Sequence, residues 1–135
     1  PIRTYLHQGM QRWVGRLLCR PGMEELLDAP QNRTPRSEQM SDIWDGPVLV
    51  SFEGHDSRKF MDAPKGEARL IFSLAVDGFN PYQSKESKAN VTCTAIYMVC
   101  LNLPPDIRYL PENVYLVGII PGPTKPSLSQ INHFL

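Results

Sequence analysis

The chain has 135 residues, 14 basic against 14 acidic side chains, 41% hydrophobic content and 13 prolines. That length permits one domain with a modest core, and the balanced charge singles out no nucleic-acid or membrane partner. No apolar run is long enough to span a bilayer and no signal-peptide pattern is present. With Pro1 where an initiator Met would stand, the chain reads as an internal piece of a longer protein.

Residues 2–19 give the clearest helical pattern. Ile2, Leu6, Met10, Trp13, Val14, Leu17 and Leu18 recur at the three- and four-residue spacing of one face. Gly9 and Gly15 weaken that helix by about 1 kcal/mol each relative to Ala. Arg12, Arg16 and Arg20 follow at four-residue steps beside the apolar stripe. They form either a solvated flank or an edge that contacts DNA phosphates, since guanidinium bridges phosphate oxygens well. Pro21 suits the first position of a second, short helix ending near Asp28. Residues 29–41 read as a polar surface loop, and residues 48–52 alternate weakly enough to predict a short strand. Gly54-His55-Asp56-Ser57 then turns that strand back into a hairpin. His55 and Asp56 are adjacent on this turn and read as solvated rather than catalytic.

Leu70 to Val76 is an almost wholly apolar run and reads as a strand buried on both faces. Asp77 falls where that strand leaves the core. As half of an Asp-Gly pair it is an ordinary turn residue. As a carboxylate on a rigid strand end it is also a candidate metal ligand. A polar loop from Gln83 to Asn90 follows, then a second strand from Val91 to Leu101 and a third from Val114 to Ile120. Asn102-Leu103-Pro104-Pro105 and Pro121-Gly122-Pro123 stop these two strands. With no helical pattern between them, the three strands predict an antiparallel meander. Ser127 and Gln130, three apart, form the capping-box signature of a helix start, and Ile131, Phe134 and Leu135 begin its apolar face.

Cys19, Cys93 and Cys100 show no CxxC spacing, and the three histidines lie far apart, so no zinc site is readable. Cys93 and Cys100, an odd number of residues apart, would face opposite sides of one strand and cannot pair with each other. The cysteines therefore read as three reduced, mostly buried thiols of an intracellular protein.

Four motifs in order then point to a family. They are Asp77-Gly78-Phe79-Asn80-Pro81-Tyr82, Ala95 to Pro105, Pro111-Glu112-Asn113-Val114, and Ile120-Pro121-Gly122-Pro123. Together they resemble the CACTA (En/Spm-type) transposases, above all the forms found in fungal genomes. The resemblance is strongest over residues 68–135 and weaker over 1–67, where Arg20-Pro21-Gly22-Met23-Glu24 and Asp42-Ile43-Trp44-Asp45-Gly46 carry it. It implies an RNase H-like nucleotidyltransferase core with Asp77 as the first of three catalytic acids. It also implies Mg²⁺ or Mn²⁺ as cofactor, transposon-end DNA as substrate, a homo-oligomer in the transposition complex, and a nuclear location.

The expected fold class is accordingly α/β, in an α+β-like arrangement. A helical and irregular region over 1–67 precedes an incomplete RNase H-like core over 68–135. That core would open with the meander and stop before its fourth strand. Strand polarity places Asp106 about 30 Å from Asp77, at about 3.3 Å per residue over some ten residues. Glu112 lies at the same distal turn and Glu86 on the loop, so the second and third acids are expected beyond Leu135. This chain alone is then catalytically incomplete. The competing expectation is a transposon-derived, non-catalytic module for DNA binding or assembly, resting on the missing acids and on Arg12, Arg16 and Arg20.

Overall fold

Met10 to Leu18 forms the first helix, α1, in the computed structural model, which describes residues 7–35, 38–81, 92–122, 125–133 and 135. The helix is shorter at its start than the periodicity predicts. Gly9 is its N-cap, extended at φ −64° and ψ 148°, rather than a weak interior position. Ile2 and Leu6 lie outside the described residues, as do Glu86, Val91, Phe134 and the loop over 83–90. The second helix, α2, spans Met23–Asp28. Pro21 does not begin it: Gly22 stands at the N-cap with φ 77°, a left-handed conformation that glycine adopts without a Cβ penalty. Pro21-Gly22 is therefore the turn between the helices. Within the expected loop, Ala29–Asn32 forms a single 3-10 turn on a buried Pro30.

The predicted strand over 48–52 is instead a short helix, α3, over Pro47–Ser51. Proline at its first turn presets the helical φ, and Val48 lies exposed with no sheet beside it. The turn at 54–57 does form: Gly54 N–H donates to the Arg58 carbonyl at 2.8 Å, and Glu53 bridges Lys59 in antiparallel fashion.

Strands β1 (Phe72–Phe79), β2 (Cys93–Cys100) and β3 (Val114–Pro121) pair in sequence order, each antiparallel to the next. The meander is as the sequence predicts, and with the helices it makes an α+β fold. Two expectations about β1 need correction. It is not buried on both faces: Leu74 and Val76 are 46% and 45% exposed, because β1 has a neighbour on one side only among the described residues. Nor does it end at Asp77, since Asp77 pairs with Ala95 and Gly78 with Thr94 inside the ladder. Asp-Gly here is strand, not turn. The register of β3 slips between Ile96 and Tyr97, which pair with Gly118 and Leu116 and leave Val117 as the extra residue of a bulge.

Helices α1 and α2 cover one face of this sheet. Trp13 and Leu17, four residues apart on α1, pack with Met23 and Leu27 of α2 against Ile96, Cys100, Leu103, Tyr115 and Val117. The Trp13 ring meets Phe72 edge-on at 6.0 Å and Tyr115 at 5.6 Å, contacts worth about 0.5–1.5 kcal/mol each beyond the area they bury. One core thus draws on both halves of the chain. Cys100 is buried in it, and burial pushes its thiol up from the ordinary range; Cys93 is half-buried and Cys19 exposed, so the thiols are less uniformly buried than expected. The final helix, α4, spans Leu128–Asn132, and Ser127 and Gln130 form the reciprocal capping box read from the sequence.

Polar side chains lock one end of the sheet. Asn102, buried just past β2, accepts from Ile71 N–H at 2.8 Å and donates to the carbonyls of Leu27 and Arg69, each at 2.9 Å. Trp44 Nε1 donates to the Leu101 carbonyl at 2.6 Å. Arg108 donates through Nε to the Leu103 carbonyl and through both terminal nitrogens to Asp42. Among the described residues, no helix is long and apolar enough to cross a membrane.

Candidate functional site

Asp77 lies at the opposite end of the sheet from those locks. The pleat puts it on the face shared with the half-buried Ala75 and Ala95, and Asp77 itself is exposed. Beside it opens a cleft of about 280 Å³, lined by Asp77, Gly78, Thr92, Thr94, Lys125 and Ile131 among others. The antiparallel register explains this grouping, since β2 begins beside Gly78 and Phe79, and β3 ends on the far side of that same start of β2. Gly122 fixes the crossing. A Cβ there would overlap the Thr92 carbonyl, so only glycine lets the two chain segments pass so closely. Lys125, Thr92 and Thr94 were not singled out in the sequence, although strand pairing alone would have placed the threonines beside Gly78.

The other acids do not join Asp77. Asp106 and Glu112 sit in the connection between β2 and β3, at the far end of the sheet, as strand polarity predicts. Glu86 lies outside the described residues. Asp42 and Asp45, both in the weaker part of the resemblance, serve the fold. Burial alone would raise the Asp42 carboxyl, but hydrogen bonds from Arg108 and Arg33 outweigh it and hold the group below its ordinary range. Asp45 accepts from the backbone and hydroxyl of Ser41 and from the backbone of Asp42, which lowers it to about 2.

The three arginines separate. Arg12 and Arg16 are exposed on α1, and Arg16 donates to Gln8 Oε1 at 3.2 Å. Arg20 lies beyond the end of the helix, half-buried, and donates to the Asn113 side-chain oxygen. Asn113 in turn donates to the Ile107 carbonyl at 2.9 Å. Arg20 thus pins α1 to the turn before β3, and the row of four-residue steps is broken at the helix end. The cleft beside it, about 620 Å³, also includes Glu112 in its wall and so is not purely basic.

The donor set near Asp77 does not by itself fit a pair of divalent cations. A six-coordinate Mg²⁺ takes oxygen ligands, and one exposed carboxylate leaves most of that shell to water. The Lys125 ammonium in the same cleft opposes a cation further. Among the described residues, no group of three or more His, Cys, Asp and Glu side chains could hold a metal ion. No family model, curated protein or solved structure matches this chain.

Proposed function

We propose that this chain carries the opening meander of an RNase H-like DNA transposase core, with Asp77 as its first acid. The observation that carries the reading is the placement of the motif series. Asp77 stands on the strand that leads the 1-2-3 meander and whose outer edge lacks a neighbour among the described residues. In an RNase H-like core, a further strand bearing the second acid is added at that edge. The acid set and its Mg²⁺ or Mn²⁺ would then be completed by residues outside this chain, and the substrate would be transposon-end DNA in the nucleus. The test is Asp77→Asn in a protein that contains the whole core, assayed for metal-dependent strand cleavage. Loss of cleavage with unchanged DNA binding is the expected result; undiminished cleavage removes Asp77 from the site.

The second reading is a transposon-derived module that binds DNA or assembles without catalysis. The exposed Arg12 and Arg16 on α1 favour it. If they contact phosphates, Arg12→Ala with Arg16→Ala weakens binding equally across sequences and lowers the salt slope by about two phosphate equivalents. An unchanged slope returns both to a solvated flank. Arg20 is not in this set, because its guanidinium already serves Asn113.

A further inference from the structure

A hairpin between α3 and β1 takes no part in either proposed function. Phe60 N–H donates to the Phe52 carbonyl at 2.7 Å, Glu53 bridges Lys59, and Ser57 N–H closes the tip on the Gly54 carbonyl at 3.1 Å. Ser57 stands at φ 60°, the left-handed residue that ends a three-residue hairpin loop. This reversal sets Phe52 and Phe60 together at the base, edge-on with ring centroids 6.0 Å apart. Arg69, on the approach to β1, lays its guanidinium over the Phe60 ring at 5.4 Å. Two bonds hold it there. Its carbonyl accepts from the buried Asn102 at 2.9 Å, and Nη2 donates to Glu67 at 2.8 Å. Its buried Nε meets no acceptor among the described residues, a donor still to be satisfied.

These groups wall a cavity of about 300 Å³, the lower end of the range for small-ligand sites. Its charges decide what it can hold. Arg58, Lys59 and Arg69 bring three positive charges to the wall, and Glu53, Asp56 and Asp62 bring three negative ones. So balanced a lining selects neither a simple anion nor a simple cation. It suits a ligand that carries an acidic group, an amino group and a flat face in one small body. Asp56 is committed to the turn, where Oδ1 accepts from Arg58 N–H at 3.2 Å. The side chains of Glu53, Arg58, Lys59 and Asp62 make no hydrogen bond or ion pair among the described residues. We propose that this cavity binds one unpaired nucleotide of a DNA strand. The base stacks on Phe52, which is 54% exposed, and its exocyclic amino group donates to Glu53 or Asp62. The adjoining phosphates take the donors of Arg58, Lys59 and Arg69. Cytosine presents such an amino donor and thymine does not, while a duplex hides the face of either base. The inference rests on the proposed function only in taking DNA as the partner. Arg69 enters β1 at the end opposite Asp77, so the contact is one of binding and not of strand cleavage.

The test is fluorescence anisotropy with the 135-residue chain, free of metal, on a short labelled oligodeoxycytidine, the matching oligothymidine and a duplex of equal length. No cleavage is read. Failure here therefore leaves the role of Asp77 standing, and an Asp77→Asn protein that still cleaves leaves this site standing. The oligodeoxycytidine should bind about tenfold more tightly than the oligothymidine or the duplex. Phe52→Ala should weaken that binding about tenfold, the share of one stacked base. Phe52→Leu keeps an apolar neighbour for Phe60 but has no ring face, and should lose as much at an unchanged thermal midpoint. Arg58→Ala with Lys59→Ala should lower the slope of log affinity on log salt by about 0.7 for each phosphate contact removed. In NMR spectra the amides of Gly54, His55 and Ser57 should shift on adding the strand, and those of Arg12 and Arg16 should not. Equal affinity for the duplex or for the oligothymidine, or full binding by both Phe52 variants, would overturn the proposal. So would free deoxycytidine monophosphate bound as tightly as the strand, which would make the ligand a nucleotide and not DNA.

Discussion

Asp42→Ala tests whether the Asp42–Arg108 pair is structural. The two side chains are each 4% exposed, and both carboxylate oxygens are engaged, at 2.8 and 2.9 Å, by the two terminal nitrogens of Arg108. Removing the carboxylate strands a guanidinium in a place that water does not reach, a loss of about 3–5 kcal/mol. Whole domains are stable by about 5–15 kcal/mol, so the variant forfeits a large share of the total. With a urea slope of about 1–3 kcal/mol per molar, the unfolding midpoint should fall by about 2 M. Arg33 also reaches Asp42 at 2.7 Å but is 41% exposed, and Arg33→Ala should cost no more than about 1 kcal/mol. Asp42→Leu with Arg108→Met should recover most of the loss, because neither charge is then buried alone. The pH dependence has a defined sign. The folded carboxyl lies below its ordinary value, so its contribution is complete above that value and lost as pH falls through the folded one. An Asp42→Ala cost under about 1 kcal/mol, or one equal to Arg33→Ala, would refute the reasoning.

Asn102→Ala leaves an N–H and two carbonyls unpaired at a buried site, at about 1–3 kcal/mol for each group that water cannot reach, and chemical denaturation should show a loss above about 3 kcal/mol. Gly122→Ala forces the ends of β2 and β3 apart and should destabilise by about 1–3 kcal/mol, with new amide exchange confined to residues around Thr92 and Thr94. In an NMR titration Asp45 should stay ionised to about pH 2, below its ordinary value of 3.8, so its share of stability persists above 3.8 and vanishes toward pH 2; Ser41→Ala should move its midpoint upward.

The long-range frame was legible in the sequence because three strands, two proline stops and one capping box each leave a local mark. The residues that lock the frame leave none. Asn102 looked like part of a stop signal, yet it joins α2, the approach to β1 and the end of β2. Arg108 and Asp42 are 66 residues apart, and no spacing rule links them. Short-range alternation misled at 48–52, where a proline start outweighed a weak period of two. An apolar run misled at β1, which has a neighbour on one side only among the described residues and leaves Leu74 and Val76 half-exposed. The candidate site was legible only as far as Asp77: Thr92, Thr94 and Lys125 come to it through register and a tight crossing at Gly122.

The locks and the candidate site occupy opposite ends of the sheet, and that has an energetic consequence. Asn102, Trp44, Arg108 and Asn113 all tie other segments to, or bond within, the connection from β2 to β3, each hydrogen bond contributing about 1 kcal/mol. At the Asp77 end the cover is α4, five residues long and too short to hold itself as a helix without packing. Opening should therefore begin there. Native-state hydrogen exchange should show the slowest amides in β2 near Val99 and Cys100, and faster ones at Thr94 and Ala95. A strand is a single cooperative ladder only if its two ends are equally anchored, and these are not. Uniform protection along β2 would show that the sheet opens as one unit, and that the end bearing Asp77 is as firmly held as the end that bears the locks.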